Sequence, residues 1–167
     1  MQRLLWRRGG AAFIIICTNT MHKVIKHIKN RISIPILHIA DATAKEIKQH
    51  GIQSVGLLGT KYTMEQDFYK LRIEENDIRV IVPKEEDRER VNKIIYNELC
   101  LGKINPQSRD YFKSVMEDLE QRGAKGIILG CTEIGLLVKQ EDSIVPLFDT
   151  ARIHAIEAVN IALQDRI

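Results

Sequence analysis

The sequence predicts an α/β protein made of two pseudosymmetric parallel-sheet lobes with helices on both faces, the first lobe incomplete. Three observations lead there. Short runs rich in Ile and Val, each bounded by turn residues, alternate with helix-compatible stretches, which is the pattern of parallel strands joined by helices. The stretch from "GAAFIIICTNTMHKV" through "IPILHIADATAKEI" is echoed by "GAKGIILGCTEIGLLV" through "VPLFDTARIHAIEA", so Cys17 pairs with Cys131 and Pro35 with Pro146. Such a duplication predicts two similar units about a pseudo-twofold axis. The copies also differ: sixteen residues precede Cys17, whereas "SVGLLGT", "IRVIV" and several helices lead up to Cys131.

The elements follow in order. "QRLLWRRGG" reads as a helix end closed by glycine. Its basic residues ahead of "AAFIII" imitate a secretory leader, but no small-residue cleavage site follows and the run is too short to span a bilayer. Strands are expected at Ala12–Ile16, Ile34–His38, Ser54–Leu58, Ile78–Val82, Gly126–Leu129 and Ile144–Phe148, each a short apolar run. Helices are expected at Thr20–Lys29, Ala42–His50, Met64–Glu75, Glu85–Leu101, Ser108–Arg122, Glu133–Lys139 and Thr150–Gln164, the last capped by Asp149. Residues 1–50 are then the remainder of lobe 1 and residues 51–148 form lobe 2. Residues 149–167 form a C-terminal helix packing back on lobe 1.

Composition narrows the function. At 167 residues and 44% hydrophobic content the chain can fill a core. Lysine and arginine exceed the acids by only 25 to 22, interspersed except near the start, so neither a nucleic-acid partner nor a membrane is expected. Three cysteines without CxxC spacing argue against a disulfide framework or zinc cage and fit a reducing cytoplasm. Neither a metal-ligand cluster, a pyridoxal-binding lysine motif nor a Gly-rich dinucleotide fingerprint is present in the sequence, so no metal and no cofactor are expected.

The duplicated Cys-Thr carries the chemistry. A lone strand-end cysteine is most often a small buried hydrophobe, as expected for Cys100 in "IIYNELC". Packing gives no reason for the same dipeptide at two equivalent strand ends. There open α/β sheets place ligands, and a helix N-terminus lowers a thiol pKa. Helix-start amides with Thr18, Asn19, Thr20 and Thr132 offer a carboxylate cradle. Two thiols across one cleft suit removal of a proton from one face of a carbon and return of another to the opposite face, with inversion.

"CTNTMHK", "LLGTKYTM", "IIYNELCLG", "GCTEIGLL" and "PLFDTARIHA" together resemble the aspartate/glutamate racemase superfamily, within it the aspartate racemase branch and its broad-specificity amino-acid racemases. The resemblance runs from about Gly10 to the C-terminus. It implies two α/β lobes, a catalytic cysteine from each, no cofactor, a small-molecule amino-acid substrate and a homodimer. By position it makes Cys17 and Cys131 the catalytic acid/base pair, with Thr18, Asn19, Thr20 and Thr132 binding substrate. Glu133 either engages the substrate ammonium or is an acid favoured at a helix start. Thr60 either lines the cleft or is a plain N-cap, and Lys103 either contacts a distal acidic group or is a surface lysine. His22 either tunes the Cys17 thiolate, reports a family signature or is a plain helix histidine; with no partner visible in the sequence, it and His154 stay outside the catalytic set.

Family members carry a strand, a Gly-rich turn, a helix and a further binding segment ahead of the first cysteine. Here that portion is missing, with an arginine for the substrate's distal carboxylate expected among the losses. The chain therefore reads as N-terminally truncated and less active than an intact relative. The alternatives are a weakly active or inactive remnant that binds acids or a partner subunit, and another superfamily member such as a hydantoin racemase or dicarboxylic-acid isomerase. A redox pair ranks below these, because thiols on opposite walls of a cleft stand too far apart for a relaxed disulfide.

Overall fold

The computed structural model describes residues 10–164; the helix end expected over "QRLLWRRGG" lies outside the described residues. All the strand pairings are parallel. Strand β1 (Ile14–Ile15) pairs with β2 (Ile36–Leu37), Ile14 opposite Ile36, in a two-stranded sheet. Strands β3 (Ser54–Gly59), β4 (Arg79–Ile81), β5 (Ile127–Gly130) and β6 (Leu147–Asp149) form a second sheet in the order β4-β3-β5-β6. β3 and β5 are its centre, and they are apolar throughout because helices cover both faces: every residue of β3 after Ser54, and every residue of β5, is buried.

The helices begin and end on local signals. α1 (Ile25–Ile28) is one short turn. α2 (Ile39–Gln49) starts where the His38 ring accepts the Ala40 amide, and Gly51 follows its end at φ +68°. α3 (Lys61–Glu65) is capped by Thr60, and α4 (Asp67–Glu74) follows after a single extended residue. α5 (Glu85–Asn97) opens on three acids, and α6 (Pro106–Gln121) has Asn105 as cap and proline in its first turn. α7 (Ile134–Leu137) is short, and α8 (Thr150–Gln164) starts where Asp149 accepts the amides of Ala151 and Arg152, as expected.

Three expected helices take different shapes. The stretch expected at Met64–Glu75 breaks at Gln66, whose ψ of 149° turns the chain so that Thr63 and Met64 stay buried in α3 while Tyr69 and Ile73 enter the core from α4. The segment after Cys17 winds as a 3-10 turn over Thr20–Val24 before α1. The helix expected to reach Leu101 ends at Asn97, and a separate 3-10 turn, Leu99–Leu101, buries Leu99.

The duplication is visible in three dimensions. β1→β2 and β5→β6 are both parallel pairs with a cysteine just past the first strand, and the helices that follow, α2 and α8, pack against each other. α2 also sends Ile39, Ala44 and Ile47 into the same apolar cluster as Leu57, Leu58, Ile127 and Ile128. A Lys45–Glu157 ion pair closes the α2/α8 contact, and Arg72 of α4 grips both oxygens of Asp41 on α2 at 2.6 and 2.7 Å.

Candidate active site

The C-terminal ends of β1, β3, β5 and β6 deliver the expected residues. Gly59 and Gly130 face each other in register, so Thr60 and Cys131 leave adjacent strands side by side. The strands meet closely: a Cβ on Gly130 would lie 2.8 Å from the Leu58 carbonyl oxygen, so only glycine fits there. Thr150 follows β6 and donates its hydroxyl to the Leu129 carbonyl at 2.8 Å, which ties it to the strand that leads into Cys131.

The Cys17 segment reaches this floor from the other sheet by two side-chain bridges. Asn19 Nδ2 donates to Thr150 Oγ1 at 2.9 Å, and the Thr20 and Thr60 hydroxyls lie 3.0 Å apart, with Thr63 completing a cluster of three hydroxyls. Asn19 is buried, and its Oδ1 is one of the few buried side-chain oxygens without a partner among the described residues. A buried acceptor left open carries a substantial desolvation cost. Cys17 is exposed beside it.

Cys131 is half-buried, and Glu133 holds it. Cys131 Sγ donates to Glu133 Oε2 at 3.0 Å, and Thr132 Oγ1 donates to the same oxygen at 2.7 Å. Burial, then the hydrogen bond to Glu133 and its negative charge, push the Cys131 thiol well above its usual value. Burial also pushes the Glu133 carboxyl up, but the bonds from Cys131 and Thr132 outweigh it and leave the carboxyl below the ordinary value. The expectation that a helix N-terminus would lower this thiol is thus overturned. α7 is a single turn, and a carboxylate faces the sulfur.

The remaining expected residues separate. Thr60 does both things proposed for it, accepting the Thr63 amide as a cap and bridging to Thr20. Glu133 makes no cap hydrogen bond; its Oε2 accepts from both Cys131 and Thr132. Thr18 folds back through its amide to the Ile16 carbonyl at 2.8 Å, so that amide is not free for a ligand. Lys103 is exposed on the loop after Gly102 and is not drawn into the cluster of hydroxyls and thiols.

Two features escaped the sequence. Cys100, expected in the core, is exposed: the 3-10 turn puts Leu99 inward and Cys100 outward, packs on α7, and leaves the Cys100 thiol raised by burial and by the Glu133 carboxylate. His22, His38 and His154 form a cluster under the Cys17 turn, all three buried. Only the hydrogen-bonding capacity of histidine hinted at this, because their partners are backbone groups.

Two parallel sheets with a Cys-Thr at equivalent strand ends, bridged by Asn19–Thr150 and Thr20–Thr60, define an α/β protein of duplicated strand-end cysteines. The sequence profile of the Asp/Glu/hydantoin racemase family matches residues 2–158, and the chain belongs to that family. It is 28% identical to the broad-specificity amino-acid racemase RacX of Bacillus subtilis (strain 168) over 158 residues, 93% of this chain and 67% of that protein. A crystal structure from Yersinia pestis, assigned to the Asp/Glu racemases, is 56% identical with a TM-score of 0.89, covering 94% of this chain and 69% of that one. An aspartate racemase homologue from Pyrococcus horikoshii OT3 is 37% identical with a TM-score of 0.86, covering 96% and 70%. The chain thus spans about two thirds of each relative.

Proposed function

We propose that this chain is a cofactor-independent amino-acid racemase, acting on aspartate or a related amino acid by a two-base mechanism with Cys17 and Cys131 as the bases. The observation that carries the reading is the convergence of the two Cys-Thr segments, through Asn19–Thr150 and Thr20–Thr60, on the ends of β3, β5 and β6. Membership of the family supports it.

In one direction the Cys17 thiolate takes the Cα proton, the electron pair of the broken C–H bond moves into the substrate carboxylate as enediolate, and the Cys131 thiol gives its proton to the opposite face. The reverse direction starts from the state this leaves, a Cys131 thiolate and a Cys17 thiol: Cys131 takes the Cα proton and Cys17 returns one to the other face. The Thr18 and Thr20 hydroxyls stabilise the carboxylate as charge builds, joined by Thr132 once its hydroxyl turns from Glu133 to the substrate, while the open Oδ1 of Asn19 accepts an N–H of the substrate ammonium. Lys103 remains a proposed contact for a distal acidic group. The duplication and the resemblance support residues 10–50 with the C-terminal helix as one lobe and residues 51–148 as the other. The resemblance supports a homodimer, which sedimentation equilibrium reads directly, and the cysteine usage supports a cytoplasmic location. No described helix is long and apolar enough to cross a membrane.

The test is solvent-deuterium exchange at Cα of L- and D-aspartate, glutamate and homoserine, followed by NMR. The wild-type chain exchanges both enantiomers of its substrate. Cys17→Ala and Cys131→Ala each lose exchange of one enantiomer by about 100-fold or more. Exchange that survives removal of both thiols sinks the mechanism; binding of the acids without exchange favours a non-catalytic acid-binding protein.

A further inference from the structure

We propose that His22 is the positioning residue for Cys17, a neutral imidazole protonated on Nδ1 that holds the Cys17–Thr18 turn against the start of α2. This rests on Cys17 being one of the two reacting thiols.

Both ring nitrogens of His22 are used by the main chain. Nδ1 lies 2.8 Å from the Thr18 carbonyl oxygen, and Nε2 lies 3.1 Å from the Ile39 amide nitrogen. An amide N–H can only donate, so Nε2 must present its lone pair and the proton must sit on Nδ1, donating to Thr18. The Thr18 peptide is therefore fixed at both ends: its N–H by the Ile16 carbonyl at 2.8 Å, its C=O by His22. Cys17 is the residue inside that turn. Because the other end of the imidazole is bonded to the first residue of α2, the thiol's location is set by β2 and α2 through one buried ring.

The surroundings enforce the neutral state. The His38 ring, at the β2–α2 corner, lies 4.4 Å from His22 between centroids and accepts the Ala40 amide on Nδ1. The His154 ring, from α8, lies 6.0 Å away and donates Nε2–H to the Leu37 carbonyl at 3.0 Å. From α4 the guanidinium of Arg72, paired with Asp41 of α2, adds a fixed positive charge to the neighbourhood. Burial first, and then these like charges against the bond to Thr18, bring His22 down to about 4. A second ring proton on His22 would have to point at the Ile39 N–H.

Asparagine and glutamine separate the two bonds, since an asparagine amide falls near the Nδ1 position and a glutamine amide near Nε2. His22→Asn keeps a donor for Thr18; His22→Gln keeps an acceptor for Ile39 only. Three readouts apply. Nitrogen-15 NMR of the wild-type chain at pH 7 is expected to show His22 protonated on Nδ1, and the Nε2–H tautomer would overturn the proposal whatever the variants do. Iodoacetamide labelling, read peptide by peptide with Cys100 as internal reference, is expected to change at Cys17 by about tenfold in His22→Gln and by much less in His22→Asn. Exchange started by Cys17 falls in His22→Gln through kcat at unchanged KM, with recovery in His22→Asn. Equal behaviour of the two variants overturns the assignment. If the wild-type chain exchanges no Cα proton while the tautomer and the labelling behave as stated, His22 still positions Cys17 and the racemase reading is what fails.

Discussion

The carboxylate of Glu133 sets the resting state of Cys131. It accepts from both the thiol and the Thr132 hydroxyl, so Cys131 is held protonated, whereas Cys17 is exposed; in the proposed mechanism this makes Cys131 the donor and leaves Cys17 to begin. Glu133→Gln removes the negative charge and leaves the burial, so the Cys131 thiol should titrate lower. Its alkylation at pH 8 should rise by about tenfold in the variant. Labelling of Cys131 that stays level or drops would refute the pairing. The candidate site was in part legible in the sequence: the repeated Cys-Thr singles out both thiols with Thr18 and Thr132 without coordinates, and Thr20 follows the first copy alone. The sense of the Cys131 shift was not, because helix start and carboxylate act in opposite directions and only geometry says which stands nearer. Nor was the open Oδ1 of Asn19, which depends on a partner far along the chain.

At the level of elements, alternation of apolar runs foretells all six strands and their parallel sense, since strands buried on both faces must be continuously apolar. Helix ends were less readable. Gln66 breaks one expected helix in two because Thr63 and Met64 on one side and Tyr69 on the other cannot all be buried by an unbroken turn order. The junction of β3 and β5 places Thr60 beside Cys131, and it is held by close backbone contact at Gly59 and Gly130. Gly130→Ala would set a methyl 2.8 Å from the Leu58 carbonyl, a main-chain atom that cannot rotate away. Unfolding in urea should show a loss of about 1–3 kcal/mol, and exchange by both cysteines should weaken because Thr60 and Cys131 are pushed apart. A variant as stable as the wild type would show that the strands have slack.

For the molecule as a whole, three buried histidines make stability depend on acidity. Burial first, then the neighbouring histidines and Arg72, take His38 to about 2; burial also lowers His154, and His22 stands at about 4. In the unfolded chain such side chains bind protons from about pH 6.5 downward. The unfolded state therefore holds more protons than the folded state below that point, and stability falls as the pH drops. His22 adds to the loss down to about 4 and nothing further beneath it, while His38 continues to about 2. Urea midpoints at pH 8, 7, 6 and 5 should be level at first and then decline, and a flat profile would contradict the neutral cluster. The bridge from Asn19 to Thr150 has a separate consequence, for biosynthesis. Its ends are 131 residues apart, so at a ribosomal rate of roughly 5–20 residues per second the first thiol segment waits about 7–26 seconds for its partner to be made. Of the two segments the one made first is thus secured only when the second emerges, and until then Cys17 is open to whatever oxidants and chaperones the nascent chain meets.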